Sequence, residues 1–474
     1  MNSFRLHLLL LGFFLLGWKG ADAHIKVVVI TDTHVMAPEL LVNDGMAFQN
    51  FLMADRKMVD CSKALFDTMI ERIKTDIKPD LVFFTGDLSK DGEKVSHQYV
   101  KAKLDELKEA GIQTLVIPGN HDRGTNGNAV YYDGDTTTPA EVADNEYFAA
   151  TYADYGYGAM SEREETSLTY VCEPIGGLVV IGIDSGREGQ VSATTLDWVS
   201  QKAKMALASG KQVVALMHHP LVPHFHGCER YVELSVVANY ETVRNALADA
   251  GIQVVFTGHF HMSDIAKDFN ADLSKSIYDV STGSLISYPC DYREVTLSDD
   301  FTTMDITTGH ITDLGGDAEF GNKAKERLRT FIQSMLASRG YGMLKKQAAN
   351  AIVAYAEGDE HKSADAASTL KSLLAYASIA HTFGIKSKET IADLQKMVKS
   401  MLTDRSAYGE EGRENQTDDL SLTISMPNAI VAPATDGNQQ ETQGHWYTLT
   451  GIPQKNKPTE SGVFIQGDKK IVIR

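Results

Sequence analysis

Five short polar motifs each close an apolar run: TDTH with Asp32 and His34, GD with Asp87, GNHD with Asn120, His121 and Asp122, MHHP with His218 and His219, and GHFH with His259 and His261. Singly, each is weak, because a histidine at a strand end is more often a satisfied polar residue than a ligand. Together they offer carboxylates, one amide oxygen and several imidazoles, and no thiolate. That donor set suits Mn, Fe or Zn rather than a copper or iron–sulfur centre. In extended chain, Asp-x-His and His-x-His put alternate side chains on one side, so both members can face one site. The MHHP motif leaves two candidates, His218 and His219.

The elements that must position these motifs are legible. The runs Ile25–Ile30, Leu81–Phe84, Thr114–Ile117, Leu178–Ile183, Val213–Met217 and Val254–Phe256 are short and β-branched, as expected for strands buried on both faces. Between them, Met58, Cys61, Leu65, Met69 and Ile73 recur at helical spacing. Strands alternating with helices imply an α/β fold with layered helices, in which ligands gather beyond the carboxyl ends of the strands.

The ordered set DxH, GDxxxD, GNHD, H and GHxH, spanning roughly residues 24 to 300, resembles the calcineurin-like metallophosphoesterase family. The resemblance implies a four-layer α/β/β/α sandwich and a two-metal site (Mn, Fe or Zn). Asp32, His34 and His261 would hold one ion, Asn120, His218 and His259 the other, and Asp87 would bridge them. It favours His218 over His219, which would then stand behind the ligands. Two ions can activate a shared water and stabilise both the attacking and the leaving oxygen of a phosphoryl transfer. His121 would face the substrate and protonate the leaving alkoxide, with Asp122 holding its ring; the competing reading makes Asp122 a turn-capping carboxylate. Asp91 departs from the family's usual GDxxD or GDxxN spacing and is expected to shape the loop. No organic cofactor is expected.

The stretches MHHPLVPH, VVFTGHFHMSDIA and STGSLISYPCDYREV resemble the branch that contains class III cyclic nucleotide phosphodiesterases. The expected substrates are small phosphodiesters, 3',5'-cyclic nucleotides among them. A phosphomonoesterase or nucleotidase is the alternative on the same site. A surface-binding relic is opposed by the complete ligand set.

The chain has 474 residues, 45 Lys+Arg against 63 Asp+Glu, and a formal charge of −18, which argues against wrapping nucleic acid. At this length more than one domain is expected. Residues 1–23 read as a signal peptide: Arg5, the apolar run Leu8–Trp18, and Ala21-Asp22-Ala23 as a cleavage site. Export to the periplasm, cell surface or medium follows as an expectation, with no membrane-spanning segment after cleavage. Residues 24–310 would form the phosphoesterase domain, 321–402 a helical domain, and 403–420 a charged linker with a sequon at Asn415. Residues 421–474 would form a small β module for sorting or attachment, or a plain edge hairpin. Cys61, Cys172, Cys228 and Cys290 leave disulfides and free thiols both open. Two loops, 124–138 with Tyr131 and Tyr132 and 223–233 with His224 and His226, are candidates for substrate contact.

Overall fold

A computed structural model describes residues 24–426, apart from 125–126, 232–234, 339–341, 343–344, 360–361, 383–387 and 404–417, together with short strands between 446 and 473. The expected signal segment and the Asn415 sequon lie outside the described residues.

The strands of the two large sheets are β1 (Ile25–Ile30), β2 (Leu81–Phe84), β3 (Gln113–Val116), β4 (Ser161–Arg163), β5 (Tyr170–Ile175), β6 (Leu178–Ile183), β7 (Gln212–Met217), β8 (Val254–Thr257), β9 (Asp264–Phe269), β10 (Ser276–Ser281), β11 (Asp291–Leu297), β12 (Thr303–His310) and β13 (Ser421–Ser425). They form a six-stranded sheet, β13-β12-β11-β1-β2-β3, and a seven-stranded sheet, β9-β10-β8-β7-β6-β5-β4. Residue periodicity decides how the sheets stack. Val180, Val214, Leu216, Val254, Phe256, Ile265 and Val280 of the second sheet join the core of the first. The alternate residues Val179, Ile181, Ile183, Val213, Ala215, Met217 and Val255 pack against α3 (Ala193–Ala208) and α4 (Tyr240–Ala250). The outer face of the first sheet is covered by α1 (Val59–Arg72) and α2 (Lys94–Glu109), through Leu65, Phe66, Met69, Val100, Leu104 and Leu107. The result is the expected α/β/β/α sandwich, in which each fully buried Val or Ile contributes about 1.5–3 kcal/mol.

Register aligns the strand ends. Ile30, Phe84 and Val116 are paired neighbours across three parallel strands, so the TDTH, TGD and PGN segments leave the first sheet at one edge. In the second sheet Leu216 pairs with Phe256, which brings the His218 and His259–His261 segments out together.

Helices α5 (Phe320–Ser338), α6 (Lys345–Ala356), α7 (Ala364–Thr382) and α8 (Lys388–Thr403) follow. Their apolar side chains, Leu328, Ile332, Val353, Tyr355 and Leu370 among them, share a core with Phe225, Phe260 and Met262 from the phosphoesterase loops.

The boundary expected at residue 421 is corrected. Ser421–Ser425 pairs antiparallel with β12, from Thr303↔Ser425 to Thr307↔Ser421, and belongs to the first sheet. The alternation Leu422 and Ile424, with Ile424 1% exposed, gives this strand a core-facing side that the sequence reading assigned to the terminal module. Residues 431–474 form a separate compact unit, whose strands Pro453–Gln454, Trp446–Thr448, Gly462–Gln466 and Lys469–Ile473 make an antiparallel sheet in that order. All four cysteines are free thiols. Among the described residues no helix is long and apolar enough to cross a membrane.

Candidate metal centre and active site

The loops beyond the strand ends are zipped to one another by backbone hydrogen bonds, Asp32 N to Gly86 O at 3.0 Å, His34 N to Asp87 O at 2.9 Å and Gly258 N to His218 O at 2.9 Å. They approach so closely that a Cβ at Gly119 would lie 2.1 Å from Asp87 Oδ1, and one at Gly258 1.9 Å from Thr31 Oγ1. Asp32, His34, Asp87, His259 and His261 all adopt positive φ, between 37° and 64°. Non-glycine residues pay about 1–3 kcal/mol for such backbone, which persists where the surroundings over-determine it and clusters at functional sites. Nothing in the sequence marks these five as left-handed.

The structure brings all seven expected ligands together. Asp32 Oδ1 lies 3.1 Å from His261 Nε2, and His34 Nε2 lies 3.3 Å from His261 Nε2. On the other side Asn120 Oδ1 lies 3.0 Å from His218 Nε2 and 2.8 Å from His259 Nδ1. Asp87 Oδ2 stands between the groups, 3.6 Å from His34 Nε2 and 3.3 Å from His218 Nε2. These are clusters of lone-pair donors, and Asp32 Oδ1 is buried with no hydrogen-bond partner. The arrangement fits two cations, one on each side of Asp87, held by the O and N donors that Mn, Fe and Zn accept.

Electrostatics agrees with that use. Burial alone would raise Asp32 and Asp87, yet the facing histidines hold both carboxyls well below the usual range, so both are anionic. Burial pushes His34 down to about 3 and also lowers His259, which leaves their ring nitrogens free to coordinate. Outer contacts orient two rings: His218 Nδ1 lies 2.8 Å from the Thr85 carbonyl and His261 Nδ1 3.3 Å from Ser287 Oγ. Such contacts fix the tautomer of a ligating imidazole.

Of the MHHP pair, His218 faces the cluster. His219 turns away, with Nδ1 2.8 Å from Ser185 Oγ and its ring 4.4 Å from that of His259.

His121 stands at the rim, its side chain 27% exposed and its ring edge-on to His34 at 4.8 Å. Its ring partner is Asp91, not Asp122. Asp91 Oδ1 lies 2.8 Å from His121 Nδ1, while Asp91 Oδ2 accepts from Lys90 Nζ at 2.6 Å. Burial would lower His121, but Asp87 and Asp91 raise it overall. Asp122 has no capacity left for the ring. Its oxygens accept from Leu88 N, Ser89 N, Ser89 Oγ and Gly119 N at 2.8–3.1 Å, tying the GD loop to the GNHD loop. The competing turn-capping reading therefore describes Asp122. The sequence reading gave Asp91 only a role in shaping the loop, because a loop's path cannot be read from spacing alone.

Of the loop candidates, Tyr132 packs against Phe48 and Phe51. His224 is buried between Asp264 and Asp279, at 2.7 and 3.1 Å.

Comparison with known proteins agrees with this geometry. The family model for calcineurin-like phosphoesterases matches residues 25–263. A probable cyclic nucleotide phosphodiesterase from Rhodococcus erythropolis is 23% identical over 245 residues, covering 51% of this chain and 66% of that protein, just under two thirds of its length. A probable glycerophosphodiester phosphodiesterase, GpdQ, from Arcobacter nitrofigilis is 25% identical over 244 residues, 50% of this chain and 71% of that one. Among solved structures, a dimetal phosphatase from Danio rerio covers 60% of this chain and 96% of its own, with 12% identity and a TM-score of 0.42. With the family model spanning half the sequence and all of the site's strand ends, the chain belongs to the calcineurin-like phosphoesterase family and is a metallophosphoesterase.

Proposed function

We propose that this metallophosphoesterase hydrolyses small phosphodiesters, with 3',5'-cyclic nucleotides as the leading candidates, and that it does so outside the cytoplasm. The observation that carries the reading is the pairing of two ligand clusters across Asp87 with an imidazole at the rim. Asp32, His34 and His261 would hold one cation, Asn120, His218 and His259 the second, and Asp87 lies between the two groups. Bound there, the cations supply Lewis acidity to the phosphoryl group and lower the pKa of water.

The chain's own residues do the rest. The zipped strand-end loops fix the ligand atoms, so that little reorganisation accompanies charge development. Asp91 holds His121 by Nδ1 and leaves Nε2 to serve as the general acid. As water attacks phosphorus and the P–O bond to the leaving group breaks, the proton on Nε2 passes to the departing alkoxide. An alkyl phosphoester, mono- or diester, expels an unactivated alkoxide and needs that proton. The names of the relatives above, a cyclic nucleotide and a glycerophosphodiester phosphodiesterase, support the diester class. The apolar segment and Ala-x-Ala site within residues 1–23 support export.

The test compares hydrolysis of bis(p-nitrophenyl) phosphate with that of p-nitrophenyl phosphate, using protein beginning at His24 and reconstituted with Mn. A diester preference is expected; a monoester preference would replace this reading with a scavenging phosphatase or nucleotidase.

A further inference from the structure

His224 lies six residues beyond the ligand His218, on a loop that the sequence marks as a candidate for substrate contact. Its side chain instead turns inward and is 1% exposed, between two carboxylates that are themselves buried, Asp264 at the start of β9 and Asp279 in β10. Both ring nitrogens are engaged: Nδ1 lies 2.7 Å from Asp264 Oδ1 and Nε2 3.1 Å from Asp279 Oδ2.

The partners fix the proton count. Asp279 also accepts from Thr257 Oγ1 at 2.6 Å and from the amides of Leu221 and Val222 at 2.5 and 3.1 Å. Surrounded by donors, it is a carboxylate, so the His224 Nε2 that faces it carries a proton. Asp264 takes the Tyr355 hydroxyl of α6 on Oδ2, and its Oδ1 is left to accept from Nδ1. With both nitrogens donating, the ring is an imidazolium. Burial would lower its pKa, but Asp264 and Asp279 hold it well above the ordinary value.

Apart from Tyr355, the groups gathered here belong to the two segments of the second sheet that carry ligands. Leu221 and Val222 follow His218 by three and four residues, Thr257 precedes His259 by two, and Asp264 follows His261 by three. The His224 ring also lies nearly parallel to that of Phe260, between His259 and His261, with centroids 6.1 Å apart. A buried ion network is weak evidence for stability, since apolar residues of similar volume often serve as well. Directed bonds to both segments instead set their spacing. His218 and His259 are two of the three residues expected to hold the second cation, whereas the first draws only His261 from these segments; Asp32 and His34 leave the other sheet.

We propose that His224 is a positioning residue for the second cation: its imidazolium clasps the His218 segment to the His259–His261 segment through Asp279 and Asp264, and Tyr355 closes the clasp from the helical region. This deepens the metallophosphoesterase reading and rests on it.

The test is calorimetric titration of Mn into metal-free full-length protein, with metal per chain measured by mass spectrometry and the unfolding midpoint recorded on the metal-free samples. His224→Gln, which cannot carry the charge, should weaken the second ion about 10- to 100-fold, as does loss of other groups that orient ligands, and leave the first within about threefold. Tyr355→Phe keeps its ring against Phe225 and loses only the hydroxyl. It should weaken the second ion severalfold while moving the unfolding midpoint little, so the idea is testable even if the glutamine variant folds poorly. Unchanged affinity for the second ion in both variants, or equal weakening of both ions, overturns the proposal and leaves the cluster a support of the fold alone. If the parent takes up two Mn ions but hydrolyses no phosphate ester, the functional reading fails while the role of His224 stands.

Discussion

Replacing Asp91 by Asn removes the charge behind His121 and touches none of the seven metal-ligand side chains. In the parent, Asp91 serves two cationic or potentially cationic partners at once, His121 Nδ1 at 2.8 Å and Lys90 Nζ at 2.6 Å. Lys90 keeps Glu93 at 3.1 Å, so the loop retains an ion pair and the variant should fold. A hydrogen bond to a charged group contributes about 1.5–3 kcal/mol and a neutral one about 0.5–1.5 kcal/mol. Exchanging one for the other removes about 1–1.5 kcal/mol, roughly a tenfold loss in proton transfer. If the amide turns wholly to Lys90 and releases the ring, the loss approaches the full ~3 kcal/mol, about 150-fold. The assay measures kcat on a dialkyl phosphodiester, which leaves as an alkoxide, and on bis(p-nitrophenyl) phosphate, which leaves as a stabilised phenolate. The loss should fall on the first substrate and spare the second, with two metals per chain retained by mass spectrometry. An equal loss on both substrates, or loss of metal, would refute the assignment of Asp91 to the acid.

Two further substitutions separate roles that neighbouring residues could exchange. His218→Ala should lower metal content toward one ion per chain and abolish turnover. His219→Ala should keep both ions and cost roughly 10- to 100-fold in rate, as for residues that orient ligands; metal loss in the second variant but not the first would reverse the assignment. Asp122→Ala leaves the buried amides of Leu88, Ser89 and Gly119 without an acceptor, at about 1–3 kcal/mol each. It should therefore cost about 3 kcal/mol or more in denaturant unfolding, and an unchanged unfolding midpoint would return Asp122 to a role beside the ring.

How much of this was legible depended on what each inference required. The ligands were legible because the motifs stand directly after β-branched runs, and strand register then carries them to one edge. Runs apolar at every position implied strands buried on both faces; the stacking of two sheets was implied only by the family resemblance. Asp122 was misread because GNHD places it next to His121 in sequence, whereas the turn points its carboxylate back into the GD loop. Asp91 reaches His121 only through the path of an irregular loop, and no periodicity encodes that. The strand Ser421–Ser425 was assigned to the wrong unit because a charged segment precedes it, and only pairing with Thr303–His310 shows which sheet it completes.

Phe260 is flanked by the ligands His259 and His261, and its ring lies about as near Tyr355 of α6 as Phe225, both at 6.1 Å. The peptide that aims two ligands is thus anchored by a side chain buried among helices sixty and more residues downstream. Evolutionary drift in that apolar core cannot be neutral for catalysis: any repacking around Phe260 re-aims both imidazoles at once. A relative that dispensed with these helices would need another apolar cover at this position to keep its metals.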